Sequence, residues 1–168
     1  MMRLDTPRHR ANQFGARRAG LVGVFAASLL LSACAGIVPM TPAEDANNPL
    51  CAEVIVRLGD VADLPKRETN AQATGAWGDP ASILLTCGLE APAPTTLPCV
   101  SVNGVDWIMD EAQKPLYIFT TYGRTPAVQV ALDSGAVSGS TVLADLSLPV
   151  ASIPQERACT ALSDTLAF

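Results

Sequence analysis

The sequence predicts an α+β domain: a small antiparallel sheet of three to four hairpin-connected strands, covered by two helices in a two-layer sandwich. Two patterns predict it. Apolar residues at helical spacing occur on both sides of a central region, and that central region alternates apolar and polar residues between glycine and proline turns. The length of 168 residues fits one domain of ordinary size.

The first element is a helix that begins at Asn48-Pro49, an N-cap residue followed by proline at the first helical position. Its apolar face follows at helical spacing, with Leu50, Val54, Leu58 and Val61. Pro65 ends it. The β-branched run at 54–56 leaves a strand over 53–58 as the alternative.

The strands come next. Residues 66–76 are polar and predict a loop, and Trp77-Gly78-Asp79-Pro80 predicts a turn before a strand over 82–87. Asn103-Gly104 favours a type I′ turn, which joins strands at 100–102 and 105–109 as a hairpin.

Two more strands and a helix complete the domain. A strand is expected over 116–122 and another over 127–132, where Val128, Val130 and Leu132 alternate with small and polar residues. Ser140 is expected to cap a helix that runs to Leu148, before Pro149 and Pro154.

Residues 1–33 have the pattern of an export signal. Five arginines against one aspartate precede the apolar run 21–31, which is too short to span a bilayer. Leu31-Ser32-Ala33-Cys34 resembles the bacterial lipobox, which implies acylation of the Cys34 thiol. An ordinary signal peptide with a chance cysteine is the alternative. The flanks of Arg17-Arg18 fit twin-arginine export poorly, so the general secretory route is favoured.

The predicted organisation is therefore a signal peptide at 1–33, a flexible tether at 34–48 and a single disulfide-stapled domain at 49–168. Fully extended, the tether would reach about 45–50 Å. We expect the protein to be lipid-anchored on the extracytoplasmic face of the cell membrane, with the membrane as its first partner.

Charge and histidine content exclude several functions. Residues 34–168 carry six Lys or Arg against fifteen Asp or Glu, a net charge of −9, which is unsuited to nucleic acid. The single histidine, His9, lies in the signal peptide, so the mature chain lacks histidine-dependent triads and histidine-ligated zinc. No cofactor and no metal are expected.

The four later cysteines, Cys51, Cys87, Cys99 and Cys159, are an even number in an exported domain and predict two disulfides. Three pairings are possible. The favoured one joins Cys87 to Cys99 across a proline-rich loop and Cys51 to Cys159 across the whole domain, because each bridge would restrain an otherwise unrestrained segment.

The candidate ligand-binding residues are Arg124, Tyr122, Trp77 and Asp79. An arginine at an exposed turn could form bidentate hydrogen bonds with an anionic envelope ligand or with an acidic group of a partner protein. Alternatively, Arg124 pairs with Asp79 or Asp106 and holds loops together. The two tryptophans, Trp77 and Trp107, are expected in the core.

Carboxylates offer the remaining chemistry. Asp79, Asp106 or Asp110 could serve a small glycan-processing hydrolase, which needs two carboxylates across one cleft. Asp106 and Asp110 alternate with the apolar residues of their strand, which favours solvated side chains there instead. No residue is assigned a catalytic role.

Several motifs together are similar to the domain-of-unknown-function 3515 family of actinobacterial envelope proteins. They are Trp77-Gly78-Asp79-Pro80, Cys87-Gly88, Gly104-Val105-Asp106-Trp107 and Tyr122-Gly123-Arg124, in a chain with a lipoprotein-like start. The resemblance implies location and shape, but no activity. We therefore expect a non-enzymatic binding or scaffold module of the cell envelope, with the hydrolase as the alternative.

Overall fold

The computed structural model describes residues 36–159, which form one seven-stranded antiparallel sheet and two helices. The predicted signal peptide and Cys34 lie outside the described residues. The strands are β1 (Lys66–Arg67), β2 (Thr74–Trp77), β3 (Ile83–Leu89), β4 (Cys99–Val102), β5 (Val105–Gln113), β6 (Leu116–Thr121) and β7 (Ala127–Asp133). Their order across the sheet is β1-β2-β3-β7-β6-β5-β4.

The two helices are α1 (Pro49–Ile55) and α2 (Gly139–Val150). The predicted cap of α1 is confirmed, since the Asn48 side chain accepts a hydrogen bond from the Leu50 amide at 3.0 Å. α1 is shorter than its apolar spacing suggested and ends before Val56, and no strand forms over 53–58. The expected cap of α2 is wrong, since Ser138 is the N-cap residue and Ser140 lies inside the helix; α2 ends at Val150, one residue beyond Pro149.

Both helices pack on one face of the sheet, as the two-layer prediction requires. Alternate residues of the central strands point to that face; Ile83, Leu85 and Cys87 of β3 lie level with Leu132, Val130 and Val128 of β7. They join Val54 of α1 and Leu146 of α2 in a single buried cluster. The opposite face of the sheet carries no helix among residues 36–159 and is called the open face below.

The sheet is larger than the predicted three to four strands: all five segments predicted between 82 and 132 form strands, and the expected loop at 66–76 adds β1 and most of β2. The expected hairpin connection is wrong between β3 and β4, because β3 pairs with β7 and β4 lies at the far edge. β1 has only two residues, too few to show any alternation. β2 is Thr-Gly-Ala-Trp and is buried on both faces, so it lacks the period-two pattern of a half-exposed strand. The later strands match the prediction within two residues except β5, which extends to Gln113.

The Asn103-Gly104 hairpin is confirmed. Val102 pairs with Val105 across the turn, and Asn103 and Gly104 have φ angles of 49° and 78°. Positive φ at both positions is what a type I′ turn requires.

The four cysteines form two disulfides, but the expected pairing is wrong. Cys51 of α1 forms a disulfide with Cys87 of β3, and their Cα atoms are 5.6 Å apart. Cys99 forms a disulfide with Cys159, and their Cα atoms are 6.2 Å apart. Strand parity explains the difference. The Cys87 side chain points to the helix-covered face, whereas Val100 packs against that core and its neighbour Cys99 points to the open face.

The expected tether is wrong for most of its length. The Val38 amide donates to the Glu68 carbonyl at 2.9 Å, and the Asp45 amide donates to the Gly88 carbonyl at 3.1 Å. Ala46 is part of the buried core. Residues 36–48 therefore belong to the domain. Within residues 36–159, no helix is long and apolar enough to cross a membrane.

Candidate functional site

The open face carries a groove beside the proline-rich loop 90–98. The loop lies along β5, where the Met109 amide donates to the Pro98 carbonyl at 2.8 Å. The larger part of the groove has a volume of about 730 Å³, and a second part of about 270 Å³ shares Thr95, Leu97 and Ile108 with it. We call both parts together the loop groove.

Apolar atoms and hydroxyl groups line the loop groove. Ile108 and Leu97 form its apolar centre, and Thr95 and Thr96 supply hydroxyls. Tyr122, Ala158 and Cys159 line the larger part only and mark one end of the groove. A cleft of several hundred Å³ with a few polar groups has the dimensions of a small-ligand site.

A cation lies at the Tyr122 end. The guanidinium of Arg157 lies over the Tyr122 ring, 5.5 Å from its centroid. Arg157 is exposed and makes no ion pair with another residue of the described range. Arg157 itself does not line the loop groove, but its guanidinium contacts Tyr122, which does. A cation therefore lies beside one end of the groove, and Leu97 and Ile108 supply apolar surface within it.

The chain segment 153–159, which we call the C-terminal segment, packs against the turn that follows β6. The Glu156 amide donates to the Gly123 carbonyl at 2.6 Å. Gly123 has φ of 71°, and a Cβ at this position would overlap the Arg157 carbonyl. Only glycine therefore lets the two backbones approach this closely.

Arg124 is buried, with 4% of its surface exposed, and does not reach the loop groove. Its guanidinium donates to the Ile153 carbonyl and, at 3.0 Å, to the Gly104 carbonyl. Desolvation lowers the pKa of Arg124 from its ordinary value, and the nearby carboxylate of Asp106 opposes that effect. Arg124 therefore holds loops together, as the alternative proposed, but it does so through backbone carbonyls and not through an ion pair with Asp79 or Asp106.

Gln155 connects Arg124 to Asp106. The Gln155 side chain donates to the Asp106 carboxylate at 2.9 Å and accepts from Arg124 at 3.4 Å. The same carboxylate accepts the Cys159 amide at 2.8 Å. Arg124 and Asp106 together therefore fix the C-terminal segment in place.

Trp77 and Asp79 lie at the other end of the strands. Trp77 pairs with Ile83, which pairs with Leu132 near the end of β7, whereas Tyr122 and Arg124 precede the start of β7. Trp77 is fully buried, as expected for a core residue, and its indole donates to the Gly59 carbonyl at 2.9 Å.

Asp79 is exposed and pairs with Arg67, with 3.2 Å between the oxygen and the nitrogen. Of the four candidate binding residues, only Tyr122 lines the loop groove.

The three carboxylates considered for a hydrolase do not share a cleft. Asp106 is buried and not solvated as expected, because its carboxylate accepts hydrogen bonds from Gln155 and from the Cys159 amide. Asp106 and Asp110 lie on the same face of β5 but are four residues apart, about 13 Å along a strand. Glycosidase pairs lie roughly 5–9.5 Å apart. Asp79 is at the opposite end of the strands, and among residues 36–159 no cluster of His, Cys, Asp and Glu is suited to a metal ion.

Three residues in or beside the loop groove were not predicted from the sequence: Arg157, Leu97 and Ile108. Arg157 follows the last helix in an irregular segment, where no periodicity assigns it a direction. Leu97 is a single apolar residue in a proline-rich loop, and single apolar residues are too common at protein surfaces to mark a site.

A family model described as "Protein of unknown function (DUF3515)" matches residues 19–159. No curated protein and no solved structure matches the chain. The matched range covers both helices, all seven strands, the loop groove and the C-terminal segment through Cys159. The chain therefore belongs to the DUF3515 family.

Proposed function

We propose that the protein is a lipoprotein of the cell envelope, anchored through Cys34 on the extracytoplasmic face, and that it acts as a non-enzymatic binding module. The lipobox-like sequence before Cys34 supports the anchor. The family match begins at residue 19 and so includes the apolar run of the signal peptide. Two disulfides within the domain agree with an oxidising compartment outside the cytoplasm.

The loop groove is the binding site in this proposal, and the pairing of Tyr122 with Arg157 at its end is the observation that carries it. An exposed guanidinium over an aromatic ring attracts an acidic group, and Leu97 and Ile108 offer apolar contact beside it. The ligand class is therefore a molecule with an acidic group attached to an apolar body. An envelope molecule or an acidic, apolar segment of a partner protein would meet this description.

Decanoate and decanol test the site, because they share an apolar chain and differ in the acidic group. Titrated into ¹⁵N-labelled protein, decanoate is expected to shift the amides of Thr96, Leu97 and Ile108, and decanol to bind several-fold more weakly. Arg157→Gln should remove the preference for decanoate. Arg57→Gln, which removes an exposed arginine paired with Glu53 on α1, is the matched control and should keep it.

Two results would count against this site. One is equal binding of decanoate and decanol by the native protein. The other is a set of shifted amides confined to the helix-covered face, away from the loop groove.

The anchor has its own test. Cys34→Ser is expected to abolish acylation and release the protein from membranes. If the variant still incorporates a labelled fatty acid, Cys34 is not the modified residue.

A further inference from the structure

The first described residues, 36–40, are fixed to one edge of the sheet. Arg67 of β1 donates from its guanidinium to the Gly36 carbonyl at 2.7 Å. Val38 then forms a parallel bridge with Thr69, and the Met40 amide donates to the Asn70 side chain at 2.7 Å. These contacts hold the chain at the β1 edge from Gly36 onward.

The chain between residue 40 and α1 is held against the sheet at a second point, at Asp45 and Ala46. Gly88 has φ of 105°, and a Cβ there would lie 2.6 Å from the Ala46 nitrogen, so the sheet is shaped to receive this backbone. The Asp45 amide donates to the Gly88 carbonyl. Residues 36–48 consequently do not act as a spacer between the domain and whatever precedes Gly36.

Gly36 follows Cys34 by two residues, and two residues span at most about 7 Å. We infer that the β1 edge, made by Gly36, Ile37, Lys66 and Arg67, is the surface that lies against the bilayer. The inference rests on the proposed acylation of Cys34. With no tether to lift the domain, the acyl chains bring this edge to the lipid headgroups.

The chemistry of the β1 edge suits a lipid surface. The Ile37 side chain is 65% exposed beside the anchoring point, where an apolar group can enter the interface. Lys66 is exposed and forms no ion pair with another described residue, so it can meet an anionic headgroup. Its neighbour Arg67 already pairs with Asp79 and donates to the Gly36 carbonyl, so Lys66 is the cation that this edge presents to solvent.

The sheet then extends away from the membrane. Seven strands have six spacings of about 4.8 Å, so the β4 edge lies roughly 29 Å from the β1 edge. Ile108 of β5, in the loop groove, lies five spacings away. The inferred orientation turns the groove away from the bilayer, and its ligand would arrive from the side of the cell wall.

The experiment compares two fluorophore positions in the acylated protein. A genetically encoded amino acid for click labelling replaces either Glu68, next to β1, or Ser101 on β4, both of which are exposed. Each protein is reconstituted in phosphatidylcholine–phosphatidylglycerol vesicles that contain a headgroup nitroxide quencher. Quenching at position 68 is expected to exceed quenching at position 101 at least threefold.

A linker variant serves as the control. Ten Gly-Ser residues inserted between Ala35 and Gly36 should remove most of the difference while leaving acylation intact. Equal quenching at the two positions in acylated protein without the linker would overturn the inferred orientation and leave the lipoprotein assignment standing. An unacylated Cys34 in the intact mass would overturn both.

Discussion

Removing the guanidinium of Arg124 tests whether this residue serves the fold. Arg124→Met keeps an unbranched apolar side chain but leaves the carbonyls of Ile153 and Gly104 without their donor. Ile153 is fully buried, so its carbonyl cannot turn to water, whereas Gly104 is exposed and regains a water partner. An orphaned buried acceptor costs roughly 1–3 kcal/mol, and charge-assisted hydrogen bonds are about twice as strong as neutral ones.

We expect Arg124→Met to lower the free energy of unfolding by about 3 kcal/mol. Urea denaturation measures this, with fluorescence of the buried Trp77 and Trp107 as the probe. At a slope of about 2 kcal/mol per molar urea, the midpoint should fall by roughly 1.5 M. The control, Arg57→Met, breaks an exposed ion pair and should cost about 0.5 kcal/mol at most. A loss below about 1 kcal/mol for Arg124→Met, against the cost expected for an orphaned acceptor, would refute the structural role.

Two further predictions concern the C-terminal segment. Gly123→Ala should destabilise the protein by about 1–2 kcal/mol more than Gly104→Ala. Both glycines have positive φ, but only the Cβ at 123 meets the Arg157 backbone; equal costs in urea denaturation would contradict this reasoning. Under a mild reductant, Cys99–Cys159 should open at least tenfold faster than Cys51–Cys87, because Cys99 is exposed while Cys51 and Cys87 are fully buried. Alkylation and peptide mapping over time measure both rates, and simultaneous opening would show that access does not control reduction.

The elements that the sequence predicted well are those fixed by neighbouring residues. The Asn48 cap, the Asn103-Gly104 turn and the alternating strand β7 each depend on a few adjacent positions. β2 could not be predicted in this way because it is buried on both faces, where alternation disappears. β1 becomes a strand only through pairing with β2.

The candidate site was harder to predict because distant chain segments decide which side chains are free. Arg124 lies at a turn that the sequence predicts to be exposed. The carbonyl to which its guanidinium donates belongs to Ile153, which follows α2 in the chain. The same C-terminal segment places Arg157 over the Tyr122 ring. The disulfide pairing was mispredicted for a related reason. The lengths of the segments between cysteines favoured one pairing, but the face of the sheet to which each cysteine points determines the pairs that form.

The mature N-terminus tests the central claim most directly. Intact-mass and peptide spectrometry on protein extracted from its own membranes should show a chain that lacks residues 1–33 and starts at a Cys34 carrying acyl groups. A chain that keeps Met1, with an unmodified Cys34 thiol and no membrane association, would contradict the account.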